Sequence, residues 1–167
     1  MTEITRLFDI PYYQQRHYEL KKCLTTKYED GWQSISTSEY LEQANTVSRA
    51  LLAMGVRQGD KIAIITDRNR SEWHILDIGI LQIGAVSVPI YPTISAEDYH
   101  YVITHSESIM VFVSNQEIYD KLDTVKGRIP KLRAIYSFDD IPNCANWSMV
   151  LKAGTEHINQ QQEVFKL

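Results

Sequence analysis

A strand, a helix and a second strand follow one another between residues 59 and 93, and this order constrains the fold more than any other feature. Lys61–Thr66 is a nearly continuous apolar run, as expected of a strand that is covered on both faces. Ser71–Ile83 has apolar residues at helical spacing, and Gly84 leads into a second strand, Ala85–Pro89, that prolines stop. Such a unit predicts parallel strands joined by a right-handed crossover.

The same alternation continues along the chain and predicts an α/β fold with a mostly parallel sheet. Upstream of the first strand, Ser36–Glu39 has the pattern of a capping box, and the apolar stripe of the helix that it begins ends at Gly55. The remaining predicted elements are a helix over Ser95–Ser106 with Ser95 as its N-cap, a strand over Ile109–Ser114, a helix over Glu117–Lys126, a strand over Ala134–Ser137 and a short helix around Trp147–Ala153.

The first 35 residues are predicted to be a polar lead-in that contains a small β-hairpin. Pro11 should end any early helix because proline lacks the amide donor, and residues 12–23 have the pattern of a short amphipathic helix. Asp30-Gly31 predicts a type I′ turn in a ribbon over about residues 25–35. We therefore expect three parts: the lead-in and hairpin over 1–35, an α/β part over 36–154, and a polar tail over 155–167 that ends in mid-pattern, as a truncated chain would.

Composition excludes several classes of protein. Seventeen Lys and Arg residues against 21 Asp and Glu residues give a net charge of −4, with no block of five like charges, which disfavours nucleic acid as a partner. No apolar run approaches the ~18 residues of a membrane span, and the first residues lack the apolar segment of a signal peptide. Cys23 and Cys144 lie far apart without a CxxC spacing, so we expect a cytoplasmic protein with two plain thiols.

Five segments resemble, in the same order, the motifs of one enzyme family. They are Phe8-Asp9-Ile10 with Lys27 and Gly31-Trp32, then Gly55 to Ala63, Asn69-Arg70-Ser71-Glu72-Trp73, Leu81 to Thr93, and His105-Ser106-Glu107. The family is the AMP-forming acyl-CoA synthetases, specifically the long-chain fatty acid:CoA ligases of the adenylate-forming superfamily. Ser71 stands where the family has proline, and both residues suit a helix N-terminus.

The resemblance implies both a fold and a reaction. The fold would be part of the large N-terminal domain of adenylate-forming enzymes, and this chain would be an N-terminal fragment. The full-length enzyme would join a fatty acid to CoA, with ATP giving AMP and pyrophosphate through an acyl-adenylate. ATP, Mg²⁺ and CoA would be needed, the metal ion to neutralise charge on the pyrophosphate.

The family's ATP-handling groups do not occur in these 167 residues. There is no Ser/Thr/Gly-rich phosphate loop, and neither the later glutamate that helps to hold Mg²⁺ nor the lysine of the mobile C-terminal domain would be reached. We therefore expect no catalytic, cofactor-binding or metal-ligating residue in this chain, and no activity from it alone.

Tyr91 and Thr93 are candidates for the wall of the substrate cleft in the full-length enzyme. They follow the second strand of the unit, and ligands of open α/β sheets bind outside the carboxyl ends of the strands. Two carboxylates have simpler explanations: Asp60 would cap a turn, and Glu72 would complement the dipole of the helix that it begins.

Three histidines and two glycines also have structural explanations. His74, His100 and His105 do not have the spacing of metal ligands, and no cysteine or acidic cluster joins them. Gly79 and Gly84 should allow the helix to pack closely on the sheet and turn into the next strand.

Two alternatives to the ligase fragment remain open. The chain could be a stand-alone α/β interaction or dimerisation module, since a sheet without its neighbours leaves apolar faces and strand edges uncovered. On this interpretation we expect a homodimer. On the ligase interpretation, the full-length enzyme would handle lipids from the cytosol or in peripheral contact with a membrane. The chain could also be a flavodoxin-like or receiver-like domain, although Asp60 precedes its strand and Asp67 lacks an acidic partner.

Overall fold

The structure, a computed structural model, describes residues 4–157. Its helices within that range are α1 (Asp9–Tyr18), α2 (Thr37–Ala53), α3 (Ser71–Gln82), α4 (Ala96–Ser106), α5 (Gln116–Asp123) and α6 (Ser148–Glu156), with a 3-10 helix over Lys126–Arg128. Its strands are β1 (Leu24–Tyr28), β2 (Gly31–Ile35), β3 (Lys61–Ile65), β4 (Val86–Ile90), β5 (Met110–Val113), β6 (Ala134–Ser137) and β7 (Ala145–Asn146).

Strands β3 to β7 form one parallel sheet in the order β4-β3-β5-β6-β7, and β1 pairs with β2 as an antiparallel hairpin. Helices α2, α3 and α6 pack on one face of the sheet, and α4 and α5 pack on the other. Four of the five side chains of β3 are therefore buried, which explains its continuous apolar sequence. The predicted α/β class, the mostly parallel sheet and the preceding hairpin are confirmed.

Both ends of α2 have the predicted caps. The Ser36 hydroxyl accepts from the Glu39 amide at 3.2 Å, and the Glu39 carboxylate accepts from the Ser36 amide at 2.7 Å. At the other end Gly55 has φ +82, and the Val56 amide donates to the Leu51 carbonyl at 2.9 Å. This is a Schellman ending, in which glycine takes the left-handed conformation that an L side chain disfavours.

The prediction that Pro11 ends an early helix is wrong. α1 begins at Asp9, and Pro11 is buried in its first turn, where amides have no acceptor within the helix and a missing donor costs nothing. α1 also ends earlier than expected, at Tyr18, because the next residues bond to other elements. The Leu20 carbonyl accepts from the Thr37 amide of α2 at 2.9 Å, and the Cys23 amide donates to the Ile35 carbonyl of β2 at 2.7 Å.

The hairpin turn lies one residue earlier than predicted. Tyr28 pairs with Gly31, so that Glu29 and Asp30 form the connection. Neither of these residues has a positive φ, and only Gly31, with φ +127, does. The turn is therefore not type I′, because that type needs a positive φ at both central residues and the Cβ of glutamate opposes it.

Two details at the edges of the sheet also differ from the sequence prediction. Pro89 lies inside β4 rather than stopping it, which is tolerated because β4 is an edge strand and the missing amide would face away from β3. At the opposite edge, β7 was not predicted, since a pairing of two residues leaves no periodic pattern in the sequence.

Candidate functional site

The carboxyl ends of β3, β4 and β5 meet at one edge of the sheet, where the strand order reverses. β3 is the first strand of the sheet in the chain, and it lies between its two successors β4 and β5. Ligands of open α/β sheets bind outside the carboxyl ends of the strands at such a reversal. This edge is therefore the candidate functional site.

A groove of about 310 Å³ lies at this edge, beside the ends of β3 and β4. Thr66 and Asn69 supply its polar side chains. Its other wall residues are Ile64, Trp73, Pro89, Ile90, Tyr91 and Pro92.

Tyr91 is 80% exposed, so most of its ring is open to a ligand or partner. Thr93 is exposed but does not line the groove, so the structure brings only one of the two predicted residues to it. Their role in a substrate cleft stays a prediction.

Next to the groove, a set of polar side chains fills the space between the ends of β3, β5 and β6. We call it the Arg70 cluster: Asp67, Arg70, Glu72, Ser114 and Asp139. Arg70 is 3% exposed and donates to the Glu72 carboxylate at 2.8 Å and to the Asp139 carboxylate at 2.9 Å. The Ser114 hydroxyl donates to the Asp67 carboxylate at 2.6 Å, which ties the end of β5 to the loop after β3.

The charges of the cluster stabilise one another. Burial alone would raise the pKa of Glu72, but the hydrogen bond and the charge from Arg70 outweigh it and hold this pKa below its usual range. Burial disfavours the charged form of Arg70 as well, and its two carboxylate partners reverse that effect and raise its pKa. Both groups are therefore ionised over the physiological range.

The hairpin β1-β2 is attached to this cluster. The Tyr28 hydroxyl donates to Glu72 at 2.8 Å, and burial followed by this bond raises the pKa of Tyr28. The Ser71 amide donates to the Thr26 hydroxyl at 2.8 Å, and the two hydroxyls lie 2.8 Å apart. A proline at position 71, as in the family motif, could not donate this amide bond.

Sequence reasoning missed Arg70 as the centre of this cluster. Glu72 does lie in the first turn of α3, as predicted, but its main partners are Arg70 and Tyr28. The spacing of Arg70 and Glu72 around the start of a helix was the available signal for their pairing. Nothing in the sequence connects either residue with Asp139.

Other predicted structural roles have mixed outcomes. Asp60 caps its turn, since its carboxylate accepts from the Arg57 amide at 2.8 Å, and Gly84 turns into β4 with φ +71. Gly79 packs against α2 rather than the sheet: a Cβ there would lie 2.6 Å from a methyl carbon of Val47. The reason is that α2 and α3 lie side by side on one face of the sheet.

No metal centre or membrane span occurs in the part of the chain that the structure describes. Within residues 4–157, no three His, Cys, Asp or Glu side chains are grouped as metal ligands would be. None of the helices in that range is long and apolar enough to cross a bilayer. Cys23 and Cys144 are both free and half-buried, as predicted.

The site can receive an apolar group but does not present a cradle for phosphate. None of the described residues that line the groove is charged. The nearest buried cation, Arg70, is already held by two carboxylates and by the Ser114 carbonyl at 3.4 Å. The two carboxylates neutralise its charge, although its buried Nε has no hydrogen-bond partner among the described residues.

Comparisons with known proteins identify the family of the chain. The sequence pattern of the family described as AMP-binding enzyme matches residues 13–163. The long-chain-fatty-acid–CoA ligase ACSBG2 of Xenopus laevis is 30% identical over 139 residues, which is 80% of this chain and 19% of that protein. The long-chain-fatty-acid–CoA ligase FadD15 of Mycobacterium bovis is 36% identical over 107 residues, covering 64% of this chain and 18% of that protein.

A solved structure shows the same fold. The N-terminal domain of FACL13 from Mycobacterium tuberculosis superposes with a TM-score of 0.69 at 18% identity, over 87% of this chain and 36% of that one. At this identity the likeness concerns the fold alone. The chain spans about a fifth of the length of the two curated relatives. From the family pattern over most of its length, we conclude that the chain belongs to the AMP-binding enzyme family.

Proposed function

We propose that this chain is the N-terminal portion of a long-chain fatty acid:CoA ligase and is inactive on its own. The observation that carries the proposal is the match of the AMP-binding enzyme pattern to residues 13–163. The two relatives named above support the acyl substrate class, because both are long-chain fatty acid ligases.

The proposed reaction of the full-length enzyme has two steps. The carboxylate of the fatty acid attacks the α-phosphorus of ATP and displaces pyrophosphate, which leaves an acyl-adenylate. The thiol of CoA then attacks the acyl carbon and displaces AMP. Mg²⁺ would neutralise charge on the pyrophosphate in the first step. The groups for both steps would come from outside these residues, since none of the side chains at the described sheet edge is arranged to hold a triphosphate.

This portion would act as a scaffold with one wall of the substrate cleft. In this proposal residues 36–154 form the α/β part of the adenylation domain, and residues 1–35 are a lead-in that fastens onto it. Tyr91 and Thr93 would line the acyl or CoA side of the cleft. The support for Tyr91 is its 80% exposure in an uncharged groove at the carboxyl edge, and Thr93 is exposed on the same loop.

The test uses the full-length product of the coding frame that contains this chain. We expect it to form acyl-CoA from a long-chain fatty acid only when ATP, Mg²⁺ and CoA are all present. A Tyr91→Ser variant should raise KM for the fatty acid or for CoA several-fold, because a wall of the cleft is lost. Tyr101→Ser is the matched control, since Tyr101 is 64% exposed on α4, outside the groove, and both KM values should stay unchanged.

Two outcomes separate the parts of this proposal. A full-length product that forms no acyl-CoA with any long-chain fatty acid contradicts the ligase function itself. An active product in which Tyr91→Ser leaves both KM values unchanged contradicts only the cleft role of Tyr91.

An interaction or dimerisation module is the second candidate, and an exposed apolar side chain on the edge strand β4 favours it. Val86 is 44% exposed there. The Val86 amide donates to the Asp60 carbonyl at 2.8 Å and so faces β3. Because backbone amides alternate along a strand, the amide positions of Ser87 and Pro89 face the open edge. Since Pro89 has no amide, this edge could give an added strand only the Ser87 donor. Association through side chains is thus better supported than extension of the sheet.

A further inference from the structure

The loop that carries Tyr91 is held by a side chain from a distant helix. Residues 91–94 lie between the end of β4 and the N-cap of α4. The Lys121 ammonium, on α5, donates to the Pro92 carbonyl at 3.1 Å and to the Ile94 carbonyl at 3.2 Å. One donor group therefore fixes two carbonyls of this short loop, although it lies 29 and 27 residues further along the chain.

A second donor reinforces the same point of the loop. The Tyr99 hydroxyl donates to the Pro92 carbonyl at 2.8 Å. Tyr99 is fully buried, and burial raises its pKa to about 12, so the hydroxyl keeps its proton at neutral pH. The Lys121 ammonium also lies 5.5 Å from the centre of the Tyr99 ring, within the range of a cation–π contact.

The charge of Lys121 is directed at the loop and not at a carboxylate. Lys121 is half-buried, and none of the ion pairs formed within residues 4–157 includes it. Hydrogen bonds from a charged donor are roughly twice as strong as those between neutral groups. The two bonds to the loop are therefore the main polar contacts of this side chain.

The helix that carries Lys121 is fastened to the core. Ile118 and Leu122 of α5 are buried in the apolar cluster on its face of the sheet. The Asn115 side chain caps the helix by accepting from the Ile118 amide at 3.0 Å. The backbone at Lys121 is thus held by packing that does not involve the loop.

The ring of Tyr91, in contrast, has little support of its own. It is 80% exposed, so few contacts hold it in place. Its position depends on the backbone of the loop, and Lys121 holds that backbone at Pro92 and Ile94, directly after Tyr91.

We propose that Lys121 is a positioning residue that holds the loop of residues 91–94 so that Tyr91 forms a wall of the substrate cleft. Lys121 does not line the groove and acts through the loop. Its effect on catalysis rests on the proposed function, whereas its effect on the loop does not. A displaced wall should weaken substrate binding more than the chemical step, because the reacting groups lie elsewhere in that proposal.

The first test uses the full-length product and the substrate, fatty acid or CoA, whose KM is raised by Tyr91→Ser. Lys121→Met keeps the apolar stem of the side chain and removes its charge and its donors. We expect it to raise the same KM several-fold and to leave kcat within about twofold. The double variant, Tyr91→Ser with Lys121→Met, should show no further rise over Tyr91→Ser, because Lys121 acts through Tyr91.

Lys126→Met is the matched control. Lys126 follows α5 directly, pairs with Asp123 and donates to the Tyr119 hydroxyl at 3.4 Å, and both partners belong to α5 and not to the loop. Its replacement should leave KM unchanged. An unchanged KM in Lys121→Met, effects that add in the double variant, or an equal rise in the control would overturn the proposal.

The second test separates the role of Lys121 in the loop from the ligase function. It measures NMR order parameters of the Tyr91, Thr93 and Ile94 amides in the 167-residue protein. We expect about 0.85, the value of rigid backbone, in wild type and in Lys126→Met, and a fall to about 0.6 or lower in Lys121→Met.

Unchanged order parameters in Lys121→Met would overturn the proposal whatever the enzyme does. A fall in these values, together with a full-length product that forms no acyl-CoA, would support the role of Lys121 in the loop and contradict the ligase function instead.

Discussion

At the scale of single residues, Arg70 determines how the candidate site is held together. Its guanidinium contacts Glu72 at the start of α3, the Ser114 carbonyl after β5 and Asp139 after β6, and it lies 5.1 Å from the centre of the Phe138 ring. A buried charge is stable only while its partners are in place, so the loss of one partner destabilises the folded protein. The contribution of the cluster to stability should therefore depend on pH.

The first prediction concerns Glu72→Gln. At pH 7 we expect the free energy of unfolding to fall by about 1–3 kcal/mol, because the variant keeps the shape but loses a charge-assisted bond. Since the pKa of Glu72 is lowered in the folded state from 4.5, its contribution is complete above that value and is lost as pH falls through the folded pKa. The difference in unfolding free energy between wild type and variant, measured by urea unfolding, should therefore be smaller at pH 3 than at pH 7.

Glu97→Gln is the control for this prediction. Glu97 pairs with Arg128 but is fully exposed, so its replacement should change little at either pH. The account of the cluster would be contradicted if Glu72→Gln had the same unfolding free energy as wild type at pH 7, or if the difference were as large at pH 3 as at pH 7.

The sequence predicts the roles of these residues only where their contacts are close along the chain. Asp60 and Ser36 were assigned correctly because a turn cap and a capping box bond within three residues. Glu72 was given a local role, yet its partner Tyr28 lies 44 residues away. Asp139 lies 69 residues from Arg70 and comes close only through the pairing of β5 with β6.

At the scale of elements, α6 packs on α2 so closely that only a glycine fits at position 154. A Cβ at Gly154 would lie 1.9 Å from the Thr46 carbonyl oxygen, which cannot move without distorting α2. Arg49, which is 2% exposed, donates to the Gly154 carbonyl at 3.0 Å and holds the two helices in this register.

The second structural prediction is that Gly154→Ala destabilises the fold by at least about 2 kcal/mol in urea unfolding. The gain in helix propensity from alanine, about 1 kcal/mol, is smaller than the cost of the backbone clash. Gly127→Ala should be neutral, since no atom lies within 4 Å of its added Cβ. Equal stability of the two variants would show that α6 does not pack on α2 in this way.

Most elements could be predicted from the sequence because their signals are local. The helices with capping boxes, α2 and α4, and the covered strand β3 were found for that reason. The early end of α1, the turn at Glu29 and Asp30, and β7 were not found, since each depends on a neighbouring element for its position.

At the scale of the whole molecule, the chain is a parallel sheet with helices on both faces. Its own side chains occupy the position where the strand order reverses. In related sheets a ligand occupies this position. Here Asp67 and Ser114 bond across it, and Arg70 lies beside them with its charge neutralised. What is left open is the uncharged groove beside Tyr91, which in the proposed function is a wall of the substrate cleft rather than a site for ATP.

The most direct test of this account is to measure ATP binding and fatty acid-dependent ATP–pyrophosphate exchange on the 167-residue protein alone. The account predicts neither tight nucleotide binding nor exchange, while the full-length product shows both under the same conditions. ATP bound tightly by the isolated chain, with groups at the ends of its own strands contacting the phosphates, or robust exchange by that chain, would contradict it.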